Sequence, residues 1–317
     1  MADKDVMKDF IKYAKDKVYF YIESKFWSKL DIDTFHAWLS NFESTEEKYC
    51  ALKLLDRFVY YSEEDMIRMI DFGFYESILK RKVLANEISN DFQVKNETLL
   101  NFKRDFTTNT YVMPLLTDNP SESSLVMARY LTNDIGFPEK NILYLNNLKS
   151  TDLKKAKNLI ILDDFVGSST QLHTFWNSTS IKIDDEVIFP KKLKAMFPDL
   201  DIDYFCLICT EEGFNNFHSQ DNDVGLRITY CEMLTNKYKV FGKDSVYFNN
   251  EEVEVCKNVL DLLCKKKGIS LLGYKGLDYA IAFHHSIPDS SLPLFYSQIN
   301  NWNPLFKNKK TFANVTI

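Results

Sequence analysis

The sequence predicts an α/β fold: a mostly parallel sheet with helices on both faces, preceded by an all-helical N-terminal domain. Three observations predict it. Leu159-Ile160-Ile161-Leu162 is a short, uniformly apolar run, the pattern of a strand buried on both faces. From about residue 101 onward such runs alternate with segments of helical periodicity, the signature of a layered α/β domain. Before that point only helical spacing occurs. The expected boundaries are therefore 1–100 for the helical domain, 101–300 for the α/β domain and 301–317 for a C-terminal tail.

The helical region is rich in aromatics, with Phe26, Trp27, Leu30, Phe35, Trp38, Leu39 and Phe42 as its apolar set. Ser44 and Glu47 form a capping-box pattern ahead of Ala51, Leu54, Leu55, Phe58 and Val59. Ser62 and Asp65 open a further helix carrying Met66, Ile67, Met69 and Ile70. His36 beside Trp38 reads as structural, and the segment holds no catalytic set. Its aromatic richness instead suggests a surface for docking other proteins.

In the second region, Tyr111 to Leu116 reads as the first strand, followed by a helix with Val126, Met127, Tyr130 and Leu131 on one face. Asn141 to Leu145 is the expected second strand. Lys182 to Pro198 is charged and irregular and reads as a helix and loop. Tyr204 to Cys209, Leu226 to Cys231 and Tyr279 to Phe283 read as strands, and Val253 to Cys264 as a helix.

Composition excludes several classes. The chain is 317 residues long and 45% hydrophobic, enough for two domains with real cores. It has 9 glycines and no G-x-G-x-x-G, which argues against a glycine-rich dinucleotide site. A net charge of −6 spread along the chain is not the footprint of an autonomous nucleic-acid binder. No apolar leader opens the chain and no run reaches membrane-spanning length, so a cytoplasmic protein with reduced thiols and no membrane partner is expected. Among six cysteines, Cys206-x-x-Cys209 lacks a second pair to complete a zinc site and reads as core thiols.

The chemistry concentrates in Leu159 to Gln171. The apolar run is followed by Asp163 and Asp164, by the small-residue loop Gly167-Ser168-Ser169-Thr170, and by a helical segment with Leu172, Phe175 and Trp176. A helix start offers unpaired N–H groups and a positive dipole end to a phosphate, and small residues let the backbone approach it. Hydroxyls add donors. Carboxylates at the strand end can accept from sugar hydroxyls and hold Mg²⁺. The same pattern also fits a plain buried strand whose acids cap the next turn.

This stretch resembles the PRPP (phosphoribosyl pyrophosphate) loop of the type I phosphoribosyltransferases: four apolar residues, an acidic pair, two further residues, then T-T-G-x-T. Asp163 and Asp164 fall on the acidic pair, and Gly167 to Gln171 on the phosphate loop. Ser169 stands where the family has Gly, Gln171 where it has Thr, and Phe165 where an aliphatic is common. A variant reading D-D-F-x-G-S-G-T-Q is similar to the divergent branch found in bacterial conflict and antiphage systems. A second segment, His284 to Pro293, resembles that branch's F-E-H-N-T-P-N-N-T-L-P through His285, Pro288, Leu292 and Pro293.

The resemblance implies a phosphoribosyltransferase-like parallel sheet and roles for particular residues. Asp163 and Asp164 would bind ribose hydroxyls and Mg²⁺. Gly167, Ser168, Ser169, Thr170 and Gln171 would cradle the 5′-phosphate, with Gly167 supplying an unusual backbone angle. Thr117 to Ser124 would face pyrophosphate, and Asn146 to Asn158, with Lys149, Lys154, Lys155 and Lys157, would form the hood. His285, as acid or base, and Tyr274 are the candidates on the acceptor side. Two functions stay open. One is an active enzyme, an effector or toxin of an antiphage system using PRPP or a related nucleotide. The other is a catalytically degenerate module that binds a ligand or the partner proteins of a defence operon, the latter through its helical domain.

Overall fold

The structure, a computed structural model, describes residues 3–93, 95–115, 123–145, 148–219 and 225–307. The chain divides into two compact units, Met1–Glu63 together with Leu234–Ile317, and Glu64–Met233.

The division does not follow the boundaries expected at residues 100 and 300. In the first unit, helices Lys4–Glu23, Ile32–Leu39 and Thr45–Asp56 share one hydrophobic core with helix Val253–Lys267 and the segment that follows it. A short strand, Val59–Tyr61, pairs in parallel with Ile281–Phe283. The indole N–H groups of Trp38 and Trp302 both donate to the Leu294 carbonyl, at 2.8 and 2.9 Å. Trp302, Leu305 and Phe306 are buried, so the expected tail contributes side chains to the core as far as Phe306. The reason is long-range pairing, which local periodicity does not record. The capping box at Ser44 is present as expected, with Glu47 N–H donating to Ser44 Oγ at 3.1 Å.

The second unit is the α/β layer. Its sheet runs in the order Thr110–Pro114, Asn158–Val166, Asp201–Thr210, Arg227–Leu234. The first three strands are parallel neighbours, with Val112 opposite Ile160 and Ile161 opposite Tyr204. Asn141 to Leu145, expected as a strand, makes only an isolated parallel bridge, Ile142 to Val112, after a 3₁₀ turn at Glu139–Asn141. The Asn141 side chain there donates to the carbonyls of Thr107, Thr108 and Thr110. The chain thus leaves the first strand on one side and returns on the other. In open α/β sheets such a reversal of strand order marks the place, outside the strands' carboxyl ends, where ligands bind.

Both faces of the sheet are covered, as the apolar central strand requires. One face packs Leu159, Ile161, Tyr204 and Cys206 with Leu172, Phe175 and Trp176 of helix Thr170–Ser178. On the other, Phe74 meets Phe205 and Phe137 edge-on, with ring centroids 5.6 and 5.8 Å apart. Phe74 lies in a π-helical stretch, Phe72–Leu79, between α-helices Glu63–Asp71 and Lys80–Ser89. A Cβ on the neighbouring Gly73 would fall 2.0 Å from Phe205 Cζ, so only glycine admits that ring. The segment expected to be irregular contains a hairpin, Ile181–Ile183 with Glu186–Ile188. No helix among the described residues is long and apolar enough to cross a membrane.

Candidate functional site

The strand carrying the acidic pair is longer than its apolar run. It continues through both acids to Val166, with Asp163 opposite Cys206 and Val166 opposite Cys209. Asp163 and Asp164 are therefore strand residues, and successive strand residues face opposite sides of a sheet. Both are buried, at 3% and 6% exposure, rather than lying at an open lip.

Asp163 lies on the side of Leu159 and Ile161. Its Oδ2 accepts from the Tyr204 hydroxyl at 2.6 Å, and its Oδ1 from the Asp164 backbone N–H at 3.0 Å. Burial, and then the charge of Asp164, push the Asp163 carboxyl well above the ordinary carboxylate range, against the lowering effect of the Tyr204 hydrogen bond. Asp164 has a different partner. Its Oδ1 accepts from Ser123 Oγ at 2.8 Å, in the first turn of helix Ser123–Asn133, which follows the first strand. That hydrogen bond spans the two strands at whose ends the order reverses.

Beyond Val166 the loop turns sharply. The unusual angle expected at Gly167 is carried by Ser169, in the left-handed region at φ 62° and ψ 3°. This is the position where the resembled family has Gly, and a left-handed backbone is the physical reason for that glycine. Ser169 is the N-cap of helix Thr170–Ser178 but makes no side-chain cap hydrogen bond. The first N–H groups of the helix are thus left without the acceptor that a capping side chain would supply. Ser168 Oγ and Thr170 Oγ1 lie 2.9 Å apart, a pair of hydroxyls beside that helix start. Gln171 is exposed in the first helical turn.

A second helix start supports the loop from beneath. Thr210, at the end of the third strand, donates its hydroxyl to the Gly167 carbonyl at 2.6 Å. The same oxygen accepts from Gly213 N–H at 2.9 Å and caps helix Glu211–His218. A Cβ on Gly213 would lie 2.3 Å from the Gly167 oxygen, so glycine is required for the approach. In a trans peptide the carbonyl and the next N–H point in opposite directions. Holding the Gly167 carbonyl toward Thr210 therefore turns the Ser168 N–H away from it.

Six of the nine predicted site residues extend this one feature: Asp164 and the loop residues Gly167 to Gln171, all in the second unit. Asp163 is adjacent in sequence but committed to the core with Tyr204. His285 and Tyr274 belong to the first unit. His285 is half-buried, its ring tilted against Phe283 at 5.7 Å, and Tyr274 is exposed in the turn Tyr274–Gly276. Residues 117–122 of the expected pyrophosphate loop, and 146–147 of the expected hood, lie outside the described residues. The hood lysines Lys149, Lys154, Lys155 and Lys157 are exposed around the short helix Ser150–Lys155.

Sequence reasoning missed Tyr204, Thr210 and Gly213. Thr210-Glu211-Glu212-Gly213 after an apolar run is a legible N-cap signal. Nothing local could have paired Tyr204 with Asp163. The six cysteines are free thiols and Cys206 and Cys209 are buried, as the core-thiol reading expects.

Asp163 and Asp164 are the acids expected to hold Mg²⁺; Asp163 is engaged by Tyr204 and Asp164 by Ser123. Among the described residues, no group of three or more His, Cys, Asp or Glu side chains is placed to hold a metal ion.

A family model described as PRTase-CE, for phosphoribosyltransferase-like proteins, matches residues 35–308. The match begins within the N-terminal helices and so takes in segments of both compact units. No curated protein matches the chain.

Proposed function

The chain belongs to the PRTase-CE family and is phosphoribosyltransferase-like, and on that premise we propose that its Gly167–Gln171 loop holds the 5′-phosphate of PRPP or a related nucleotide. The observation that carries the reading is the helix start at Ser169, which lacks a side-chain cap and stands at the carboxyl end of a central parallel strand beside the strand-order reversal. A phosphate placed there meets backbone N–H groups and the positive end of the helix dipole. Ser168 and Thr170 add hydroxyl donors, and Thr210 fixes the Gly167 peptide. Asp164 is the member of the acidic pair proposed to receive ribose hydroxyls, in exchange for or beside Ser123. Mg²⁺ would arrive on the pyrophosphate, with Asp164 as the neighbouring carboxylate.

The biological setting proposed is a bacterial antiphage system, with the chain as effector or toxin. Two segments more than 100 residues apart, Asp163 to Gln171 and His285 to Pro293, resemble that branch. Partner proteins would dock on the aromatic-rich N-terminal helices.

One observation favours a second reading, a ligand-binding module without turnover. Phosphoribosyl transfer needs a charge-stabilising environment for an oxocarbenium-like ribose, and Asp163 is turned into the core with its charged form disfavoured. The full chain incubated with PRPP, Mg²⁺ and a panel of nucleobases and nucleosides separates the two. Release of pyrophosphate above the uncatalysed rate supports the enzyme. Binding of PRPP without release supports the module.

A further inference from the structure

We propose that Ser28, Glu63 and His284, all in the first unit, form a second site in which Ser28 acts as a nucleophile toward small apolar esters. Ser28 Oγ lies 3.0 Å from His284 Nδ1. His284 Nε2 lies 3.8 Å from Glu63 Oε2. A hydroxyl within hydrogen-bond reach of an imidazole, with a carboxylate on the other ring nitrogen, is the arrangement of an activated serine. The ring nitrogens exchange their usual parts here. The proposal takes the tautomer with the proton on Nε2, the side of Glu63, in which the Nδ1 lone pair accepts from Ser28.

The three residues come from separate segments, each held in place. His284 extends the parallel pairing of Val59–Tyr61 with Ile281–Phe283, and its backbone N–H donates to the Tyr61 carbonyl at 2.8 Å. Ser28 sits in the turn after helix Lys4–Glu23, where the Trp27 N–H donates to the Tyr21 carbonyl and Lys25 takes a left-handed backbone. Glu63 begins helix Glu63–Asp71. Ser28 is exposed and His284 is half-buried, so the nucleophile is reachable and its base is shielded. The Tyr60 hydroxyl, 3.5 Å from Ser28 Oγ, accepts from the Lys29 N–H at 3.3 Å. It is the side-chain donor proposed to face the carbonyl oxygen as that oxygen develops charge.

The surroundings indicate the substrate class. Ring contacts run from Phe20 to Phe26, Phe26 to Tyr21, Tyr21 to Trp27 and Trp27 to Tyr60, with centroids between 5.2 and 6.3 Å apart. Phe20 and Phe26 are 57% and 60% exposed. This aromatic track passes Tyr60, whose hydroxyl lies 3.5 Å from Ser28 Oγ, and suits an apolar acyl or aryl group. Burial first, then Lys29 and the neighbouring His285, lower the His284 pKa against the raising effect of Glu63, which favours the neutral imidazole that can accept a proton.

In the proposed step, Ser28 Oγ bonds to the ester carbonyl carbon while its proton passes to His284 Nδ1. The bond from that carbon to the alkoxy oxygen then breaks, and the leaving alcohol takes the proton from Nδ1. Water, deprotonated by the same nitrogen, hydrolyses the acyl-serine and restores the enzyme. No other reactant is needed, and nothing in the step depends on the phosphate loop.

The test is a fluorophosphonate with an alkyl tail, applied to the full chain, with the modified peptide identified by mass spectrometry. Attack forms the bond from Ser28 Oγ to phosphorus and expels fluoride. The expected result is labelling at Ser28, slowed about 100-fold or more by His284→Gln, the scale of general-base catalysis. Glu63→Gln, at an exposed position, should slow it by a smaller factor without affecting the fold. In the native chain the rate should rise with pH through one ionisation, that of His284, whose charged and titratable neighbours are Glu63, Lys29, His285 and the Tyr60 hydroxyl. That rise should be absent in His284→Gln. Absence of label at Ser28, or an equal rate in a folded His284→Gln variant, would overturn the proposal.

Discussion

The Tyr204 hydroxyl donates to Asp163 Oδ2 at 2.6 Å inside the sheet core, between the central strand and its neighbour. This hydrogen bond separates the fates of two acids that are adjacent in the sequence. Tyr204→Phe should leave a buried carboxyl with one donor fewer and lower stability by about 1–3 kcal/mol. Urea unfolding at neutral pH measures it.

Asp163 also sets a pH dependence. Its carboxyl holds a proton more tightly in the folded chain than in the unfolded one. The stability from this group is therefore fully present below the unfolded carboxylate pKa, about 3.9, and is lost as pH rises through the raised folded value. Asp163→Asn should remove that decline and make the protein more stable at neutral pH. Urea midpoints between acid and neutral pH would show the slope in the native chain and its loss in the variant.

Ser169 holds a backbone conformation that costs an L-residue roughly 1–2 kcal/mol. Ser169→Gly should raise stability by about 0.5–1 kcal/mol, since glycine's greater unfolded-state freedom offsets part of the gain. Ser169→Val should lower stability, because a β-branched residue is the poorest occupant of that region. Thermal denaturation should shift in opposite directions in the two variants.

At the opposite end of the sheet, Arg81 Nη2 meets both oxygens of Asp203, at 2.7 and 3.0 Å, and Asp203 is fully buried. Thr229 Oγ1 adds a third hydrogen bond, at 3.1 Å. Arg81→Ala should cost about 1.5–3 kcal/mol, the loss of hydrogen bonds to a buried carboxylate that Thr229 and Arg227, at 3.6 Å, still neighbour. The double change Arg81→Met with Asp203→Leu should recover much of that loss. Equilibrium unfolding of the single and double variants decides it.

The elements that could be read from the sequence were those specified by local chemistry. The Ser44 capping box, the apolar strand at Leu159 to Leu162 and the face of helix Val253–Lys267 are each set by residues a few positions apart. What escaped depends on partners far along the chain. Val59–Tyr61 belongs with Ile281–Phe283, so the helical region shares its core with the C-terminal segment rather than standing alone. The π-helical stretch is tied to a ring over 100 residues away, Phe205 against Gly73. At the site, the loop could be found from its small residues, but its left-handed turn, expected at Gly167, falls on Ser169. The inward turn of Asp163 could not be found, because it depends on the register that brings Tyr204 beside the central strand.

Support of the loop from beneath gives a further test. Gly213→Ala places a methyl group against the Gly167 oxygen, and Thr210→Val removes the hydroxyl that holds it. Both should weaken binding of a phosphorylated sugar by about tenfold, the size of one hydrogen bond of about 1.4 kcal/mol. Thr210→Ser should restore it. Cooperative unfolding in the same variants would show that the fold is intact.

The central claim is that Gly167 to Gln171 binds a phosphorylated ribose beside Asp164. Isothermal titration of the full chain with PRPP and Mg²⁺ tests it most directly, comparing the native protein with Asp164→Asn and with the pair Ser168→Ala and Thr170→Ala. The account predicts one site per chain, competition by ribose 5-phosphate but not by ribose, and affinity reduced at least about tenfold by Asp164→Asn through loss of a charge-assisted hydrogen bond of about 1.5–3 kcal/mol. The loop variant should bind more weakly still. No binding by the native chain, or equal binding by all three proteins with intact folds, would contradict it.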